Sequence, residues 1–207
     1  MESFTFVKGR ALPLLVPDID TDVITPIQRV MQGGDALTRY AFESLRYKAD
    51  GELNPDCPLN QDVYQNAPIM LAGANFACGS SRETAVWAIR GLGIRCIIAP
   101  SFGDIFFDSC FENGLLPVTR PQAEVDALAD DAATGEFRVD LERCEITSSS
   151  GRTIPFTVHP LQREALLSGR DSIELTLERD REIADFQLRD CRLRPWVYSI
   201  AEDNHVR

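Results

Sequence analysis

The stretch at residues 69–118, IMLAGANFACGSSRETAVWAIRGLGIRCIIAPSFGDIFFDSCFENGLLPV, alternates short apolar runs with segments of helical period. Ile69 to Ala72 is a short apolar run that predicts a strand. Ala85, Ala88, Ile89 and Leu92 fall at i, i+3, i+4 and i+7, which predicts a helix that Gly91 and Gly93 can end. Ile94 to Ala99, closed by Pro100, predicts the next strand. From about Phe102 a second helix follows, with Phe102, Ile105, Phe106 and Cys110 on one face and Asn113-Gly114 as its left-handed stop. Leu115 to Val118 predicts a third strand. Strands and helices alternating in this way give an α/β fold with a parallel βαβαβ centre.

Upstream of this centre, turn chemistry dominates: VPDIDTD at 16–22, Gly33-Gly34, and ADGELNPDCP at 49–58, with a helix expected from about Ala36 to Tyr47. Downstream, an acidic helix from about Gln122 to Ala133 precedes strand-like segments at 137–141, 145–147 and 153–158. A short helix at 160–167 and a further strand at 172–177 follow, and the last thirty residues are charged. There is no internal repeat and no long linker, so the expectation is one domain over 1–207, with a core at 1–120 and a β-rich extension ending in a charged tail at 121–207.

Composition narrows the function. The 207 residues are 44% apolar and 26% charged, and 32 acidic against 21 basic residues leave a formal charge of −11. That balance repels nucleic-acid phosphates and anionic lipid, so neither is an expected partner. The start MESFTFVKGR lacks the apolar core of a signal peptide, and no apolar run is long enough to span a membrane. Cys57, Cys78, Cys96, Cys110, Cys144 and Cys191 lie at least fourteen positions apart, a spacing that suits reduced thiols in a cytoplasm. It gives no reading as a zinc or iron-sulfur ligand set, so no metal site is expected on this chain. His159 and His205 are too few for an imidazole-rich centre or a convincing Ser-His-Asp triad.

The chemistry-bearing segment is Gly73 to Glu83, at a strand-to-helix turn where open α/β sheets bind ligands. Ser80-Ser81-Arg82-Glu83 also matches the S-x-x-E capping box of many structural helices. Arg82 argues against a purely structural role, because a cation in the first turn opposes the helix dipole by about 0.3–1 kcal/mol. Two hydroxyls, a guanidinium and free helix-start N–H groups suit a carboxylate. Neither phosphate pattern, G-x-x-x-x-G-K-[ST] nor G-x-G-x-x-G, is present, so a small di- or tricarboxylic acid fits better.

Residues 73–118, together with DIDTDVITP at 18–26 and NPDCPLN at 54–60, resemble the small subunits of 3-isopropylmalate dehydratase, the detached counterpart of the swivelling domain of aconitase. The resemblance covers about residues 4–120, with an echo in LLSGRDSIELTLERD at 166–180. It implies an aconitase-type swivelling β/β/α domain. It also implies Ser80 as the catalytic base, acting as an alkoxide, with Arg82 beside it; a serine needs a cationic, water-poor pocket for that role. By the same resemblance Ser81, Arg82, Thr21 and Asp22 would bind and orient the substrate, with Asn75, Asp104 and Glu83 supporting them from behind. The implied [4Fe-4S] cluster would belong to a separate large subunit, the implied partner in a heterodimer or larger assembly. The implied reaction is dehydration and rehydration of an isopropylmalate in leucine biosynthesis.

Bacterial members usually read GSSREHA, where this chain has Thr84. The loop Arg29 to Gly34 also differs from the commonest bacterial version. These departures keep two alternatives: a hydro-lyase acting on another alkylmalate, such as methylmalate/citraconate or dimethylmalate, and a carboxylate-binding module without catalysis. Other residues have plainer readings. Cys78 suits a small buried position, and Asp18, Asp20 and Asp22 lack the glycine and closing glutamate of an EF-hand loop. Trp87 lies off the apolar stripe, facing either a partner or the core's periphery, and His159 begins a helix.

Overall fold

In the computed structural model, which describes residues 1–32 and 35–198, the chain runs β1 (Phe6–Leu14), α1 (Thr21–Ile24), α2 (Ile27–Val30), α3 (Asp35–Arg39), α4 (Glu43–Arg46), β2 (Ile69–Ala72), α5 (Glu83–Gly91), β3 (Cys96–Ala99), α6 (Asp104–Glu112) and β4 (Leu116–Thr119). It continues through α7 (Gln122–Ala132), β5 (Glu136–Asp140), β6 (Glu145–Thr147), β7 (Thr153–Pro155), α8 (Pro160–Ser168), α9 (Ser172–Leu177), α10 (Asp180–Leu193) and α11 (Pro195–Tyr198). It divides into two compact units, 1–169 and 170–207.

The first unit is built on a seven-stranded sheet in the order β4-β3-β2-β1-β5-β6-β7. β1 to β4 are mutually parallel, and β5, β6 and β7 continue the sheet antiparallel from the other edge of β1. The expected βαβαβ centre is therefore present as β2-α5-β3-α6-β4. The strand that joins it to the β-rich half is β1, which the sequence pattern does not announce, because Gly9 and Pro13 interrupt its apolar run. Gly9 is required there: a Cβ would stand 2.6 Å from Pro68 Cδ.

Alternate residues of the central strands feed two cores, as the pleat demands. Met70, Ala72, Ile97 and Ala99 face a cluster with Ala85, Val86, Ala88 and Ile89 of α5 and with Phe76 and Phe106. Ile69, Leu71, Cys96 and Ile98 face the opposite cluster, closed by Val125, Leu128 and Ala132 of α7 and by Leu166 of α8. Both clusters are buried, which explains why β2 and β3 read as continuous apolar runs.

Two expectations fail locally. The single helix expected over 36–47 is broken into α3 and α4 by Phe42, which adopts φ 56°. Phe42 is fully buried and its N–H donates to Ile24 O at 3.0 Å, so tertiary packing overrides helical propensity. The strand expected at 172–177 is the helix α9: Asp171 accepts from Glu174 N, and the Glu174 carboxylate accepts from Asp171 N. This reciprocal cap outweighs the alternation of Ile173, Leu175 and Leu177. In the second unit, α11 is tied to α10 through Asp190, which accepts from Arg194 Nε at 2.7 Å and Tyr198 Oη at 3.1 Å. No described helix is long and apolar enough to cross a membrane. Gly33 and Gly34 of the differing loop, and 199–207 of the tail, lie outside the described residues.

Candidate active site

Three loops leaving the C-terminal ends of neighbouring parallel strands meet at one place. The loop after β1 pairs with the loop after β2 through a parallel bridge between Asp20 and Cys78, and Asp18 N donates to Ala74 O at 2.9 Å. The loop after β2 pairs with that after β3 through Phe76 and Phe102; Phe76 N donates to Ser101 O at 3.0 Å and Gly103 N to Phe76 O at 2.9 Å. Gly73 permits the crossing, because a Cβ on it would stand 2.3 Å from Val16 O.

The loop after β2 zigzags through left-handed backbone at Asn75 (φ 56°), Ala77 (φ 56°) and Gly79 (φ 87°). For the alanine that conformation costs about 1–2 kcal/mol. It is retained because the neighbouring loops hold it: Asn75 N donates to Ser101 Oγ at 2.8 Å, Asn75 Nδ2 donates to Asp18 Oδ1 at 2.7 Å, and Phe76 is fully buried.

Ser80 and Ser81 emerge from this turn exposed, and neither hydroxyl bonds to another described residue. The backbone beneath Ser80 is fixed, because its carbonyl accepts from the buried Thr21 Oγ1 at 2.9 Å. Thr21 N in turn donates to Cys78 O at 3.0 Å. Thr21 thus commits its hydroxyl proton to the loop, as a positioning group. Arg82 Nη1 forms an ion pair with Asp22 Oδ1 and donates to Thr25 O at 3.2 Å, while Nε and Nη2 have no acceptor among the described residues. Asp22 therefore orients the guanidinium and leaves one edge of the fork available to a carboxylate.

The capping-box reading does not hold. The N-cap of α5 is Arg82, in extended backbone, and no side chain caps the helix. Glu83 is instead held by Asn113, whose Nδ2 donates to Glu83 Oε1 at 2.9 Å and whose Oδ1 accepts from Trp87 Nε1 at 2.9 Å. The N–H groups of Glu83 and Thr84 stay free of acceptors among the described residues, so this helix start can stabilise an anion. Thr84 Oγ1 is buried with no partner. Asp104 is the first residue of α6 and exposed, and no side-chain bond joins it to residues 78–83. Thr25, Ser101 and Asn113 are the residues that sequence reasoning passed over. The first two lie in quoted motifs, whereas Asn113 was read only as part of a helix stop.

The aspartates upstream act separately. Asp18 accepts from Asn75, Asp20 caps α1 by accepting from Val23 N at 2.8 Å, and Asp22 pairs with Arg82. The thiols are no better arranged for a cluster. Cys96 and Cys110 are fully buried and burial pushes both thiols well up, while no group of three or more His, Cys, Asp or Glu among the described residues is placed to hold a metal. A metal centre bound by thiolates does not fit these residues.

A domain of this topology, with a serine-arginine turn at the C-terminal edge of its parallel strands, belongs to the class of the aconitase C-terminal domain, whose family model matches residues 18–123. A second model, LeuD_N, matches residues 126–160. The 3-isopropylmalate dehydratase small subunit of Paramagnetospirillum magneticum is 47% identical, covering 95% of this chain and 100% of its own length. That of Rhodospirillum centenum is 46% identical over 95% and 99%. The solved structure of a 3-isopropylmalate dehydratase from Methanocaldococcus jannaschii superposes with a TM-score of 0.64 at 27% identity, covering 87% of this chain and 99% of that one. The chain belongs to the 3-isopropylmalate dehydratase small-subunit family, a hydro-lyase family.

Proposed function

We propose that this chain is the small subunit of a two-component hydro-lyase that interconverts 2-isopropylmalate and 3-isopropylmalate in leucine biosynthesis, in the cytoplasm. The observation that carries the reading is the pairing of free Ser80 and Ser81 hydroxyls with an Arg82 guanidinium clamped by Asp22 at an uncapped helix start. Arg82 and Ser81 hold a substrate carboxylate. That contact places the adjacent C–H against Ser80 Oγ, which takes the proton as hydroxide leaves the neighbouring carbon. Rehydration of the alkene returns the proton and hydroxyl to exchanged carbons. Departure of hydroxide calls for a Lewis acid, which the family resemblance assigns to a [4Fe-4S] cluster on a large subunit. The partners are thus that large subunit and a small dicarboxylic acid.

The alkoxide form of Ser80 requires local positive potential, supplied by Arg82 and the free N–H groups of α5. Thr21 and Asp22 fix these groups, and Asn75 and Glu83 tie the loop to its neighbours. Thr84, with its buried and unpartnered hydroxyl where relatives usually carry histidine, is the departure behind a second reading in which the substrate is another alkylmalate, such as methylmalate/citraconate or dimethylmalate.

The test mixes this chain anaerobically with its cluster-loaded large subunit and follows the unsaturated intermediate with isopropylmalate and methylmalate side by side. Turnover of isopropylmalate that Ser80→Ala abolishes, with assembly intact, is the expected result. Preference for methylmalate selects the second reading, and silence on both with the partner bound leaves a non-catalytic carboxylate-binding module.

A further inference from the structure

The outward face of α5 is built for contact, and the function proposed above does not use it. Trp87 is 47% exposed, yet its indole is fixed, because Nε1 donates to Asn113 Oδ1 at 2.9 Å while Asn113 is itself anchored to Ser109 O at 2.9 Å and to Glu83. The other large exposed aromatic of the first unit, Phe6, is covered by the Arg138 guanidinium 3.8 Å from its ring centroid. No ring or guanidinium among the described residues stacks on Trp87.

One turn further along the same face, Arg90 has no hydrogen-bond or ion-pair partner among the described residues, and its Nε is buried and unsatisfied. Glu2, the anion whose charge acts on it, is already paired with Arg95, a second cation that raises the local positive potential. In a chain of net charge −11, this is a local cationic spot beside a preorganised indole. An exposed tryptophan held in fixed geometry, with a half-buried arginine one turn away, is the composition of an interface anchor, and the immobilised indole loses little freedom on binding.

Glu83, Trp87 and Arg90 lie in successive turns of α5, a helix about 13 Å long that begins at the Ser80–Arg82 turn. Any protein that covers the two open serines meets this face next. We propose that Trp87 and Arg90 anchor the large subunit, with the indole entering an apolar recess and Arg90 pairing with a carboxylate at its rim. This rests on the two-component reading above for the partner's identity.

The test measures association of the full chain with the cluster-loaded large subunit by calorimetry, with Trp87→Ala, Arg90→Gln and a Trp196→Phe background in which Trp87 is the only tryptophan. The expected result is affinity weakened about tenfold to a hundredfold by Trp87→Ala, and less by Arg90→Gln. In unmutated Trp87 the emission shifts to the blue on binding. Activity lost by either variant at limiting large subunit returns as the large subunit is raised, which misfolding would not permit. Unchanged affinity in both variants with no emission shift overturns the proposal, as does absence of any association. A self-association of this chain that Trp87→Ala abolishes, with binding to the large subunit unaffected, also overturns it and assigns the face to a second copy. Docking that depends on Trp87 without turnover of any alkylmalate leaves the proposal standing and removes the catalytic reading instead.

Discussion

The hydroxyl of Thr21 donates to the carbonyl of Ser80 across 2.9 Å and 59 positions of sequence, joining the loop after β1 to the turn that presents the proposed base. Thr21 is 2% exposed, and its hydroxyl is the side-chain donor that the structure gives this carbonyl. Thr21→Val keeps the shape and deletes the donor, and is expected to cost about 1–3 kcal/mol in urea unfolding. In the reconstituted enzyme kcat falls more than KM rises, because Ser80 is displaced while Arg82 keeps its hold on the carboxylate. An unchanged kcat removes the positioning role of Thr21.

The parallel centre is legible in the sequence because β2 and β3 are buried on both faces, so their residues are apolar without interruption. β1 is hidden by Gly9, Pro13 and the alternation of a strand with a half-exposed face. The fracture at Phe42 depends on a bond to Ile24 that no local pattern encodes. At α9, the alternation of apolar residues imitates a strand, and the Asp171–Glu174 cap was the available signal against it. At the site, the strand-to-helix turn at 73–83 is legible in the sequence. The clamp on Arg82 is not, because Asp22 and Thr25 reach it from another loop. The S-x-x-E match misleads for a physical reason: the turn uses its backbone to hold Thr21, and the N-cap falls two residues later, at Arg82, with the helix starting at Glu83.

Arg82 offers a test of fork geometry as distinct from charge. Arg82→Lys retains the cation but cannot satisfy Asp22, Thr25 O and a substrate carboxylate together, since an ammonium lacks the planar pair of donor edges. The expected result is a loss of about tenfold to a hundredfold in kcat/KM, carried mostly by KM. Asp22→Asn, which keeps an acceptor and removes the charge, is expected to be milder. Equal kcat/KM for Arg82→Lys and the parent would show that only charge matters at this position.

Acid stability follows from Asp131, which ties α7 to the hairpin of β6 and β7. Its carboxylate accepts from Ser148 Oγ at 2.6 Å, Ser150 Oγ at 2.7 Å and Arg152 Nε at 3.4 Å, and the hydroxyl bonds lead in holding its pKa below the usual value. A group depressed in the folded state adds stability that is complete above its unfolded pKa, about 4, and is lost as pH falls through the folded value. Unfolding midpoints measured between pH 7 and pH 3 are therefore expected to drop less steeply for Asp131→Asn than for the parent, with the variant already weaker at pH 7. Parallel acid limbs would remove Asp131 from the balance.

The thiols separate by burial. Cys96 on β3 and Cys110 on α6 are fully enclosed, and burial pushes both well above the ordinary thiol range, so neither forms thiolate at neutral pH. Cys191 on α10 is exposed. Since thiolate is both the nucleophile and the metal ligand, a disulfide reagent is expected to modify Cys191 first and to reach Cys96 and Cys110 only at the rate of unfolding. By the same argument, iron and sulfide supplied under reducing conditions give the isolated chain no cluster absorbance, because no three His, Cys, Asp or Glu side chains among the described residues converge and Cys96 and Cys110 are enclosed. Rapid modification of Cys96 in folded protein would overturn this ordering of the thiols, and a stable cluster spectrum from this chain alone would overturn the placement of the cluster on the partner.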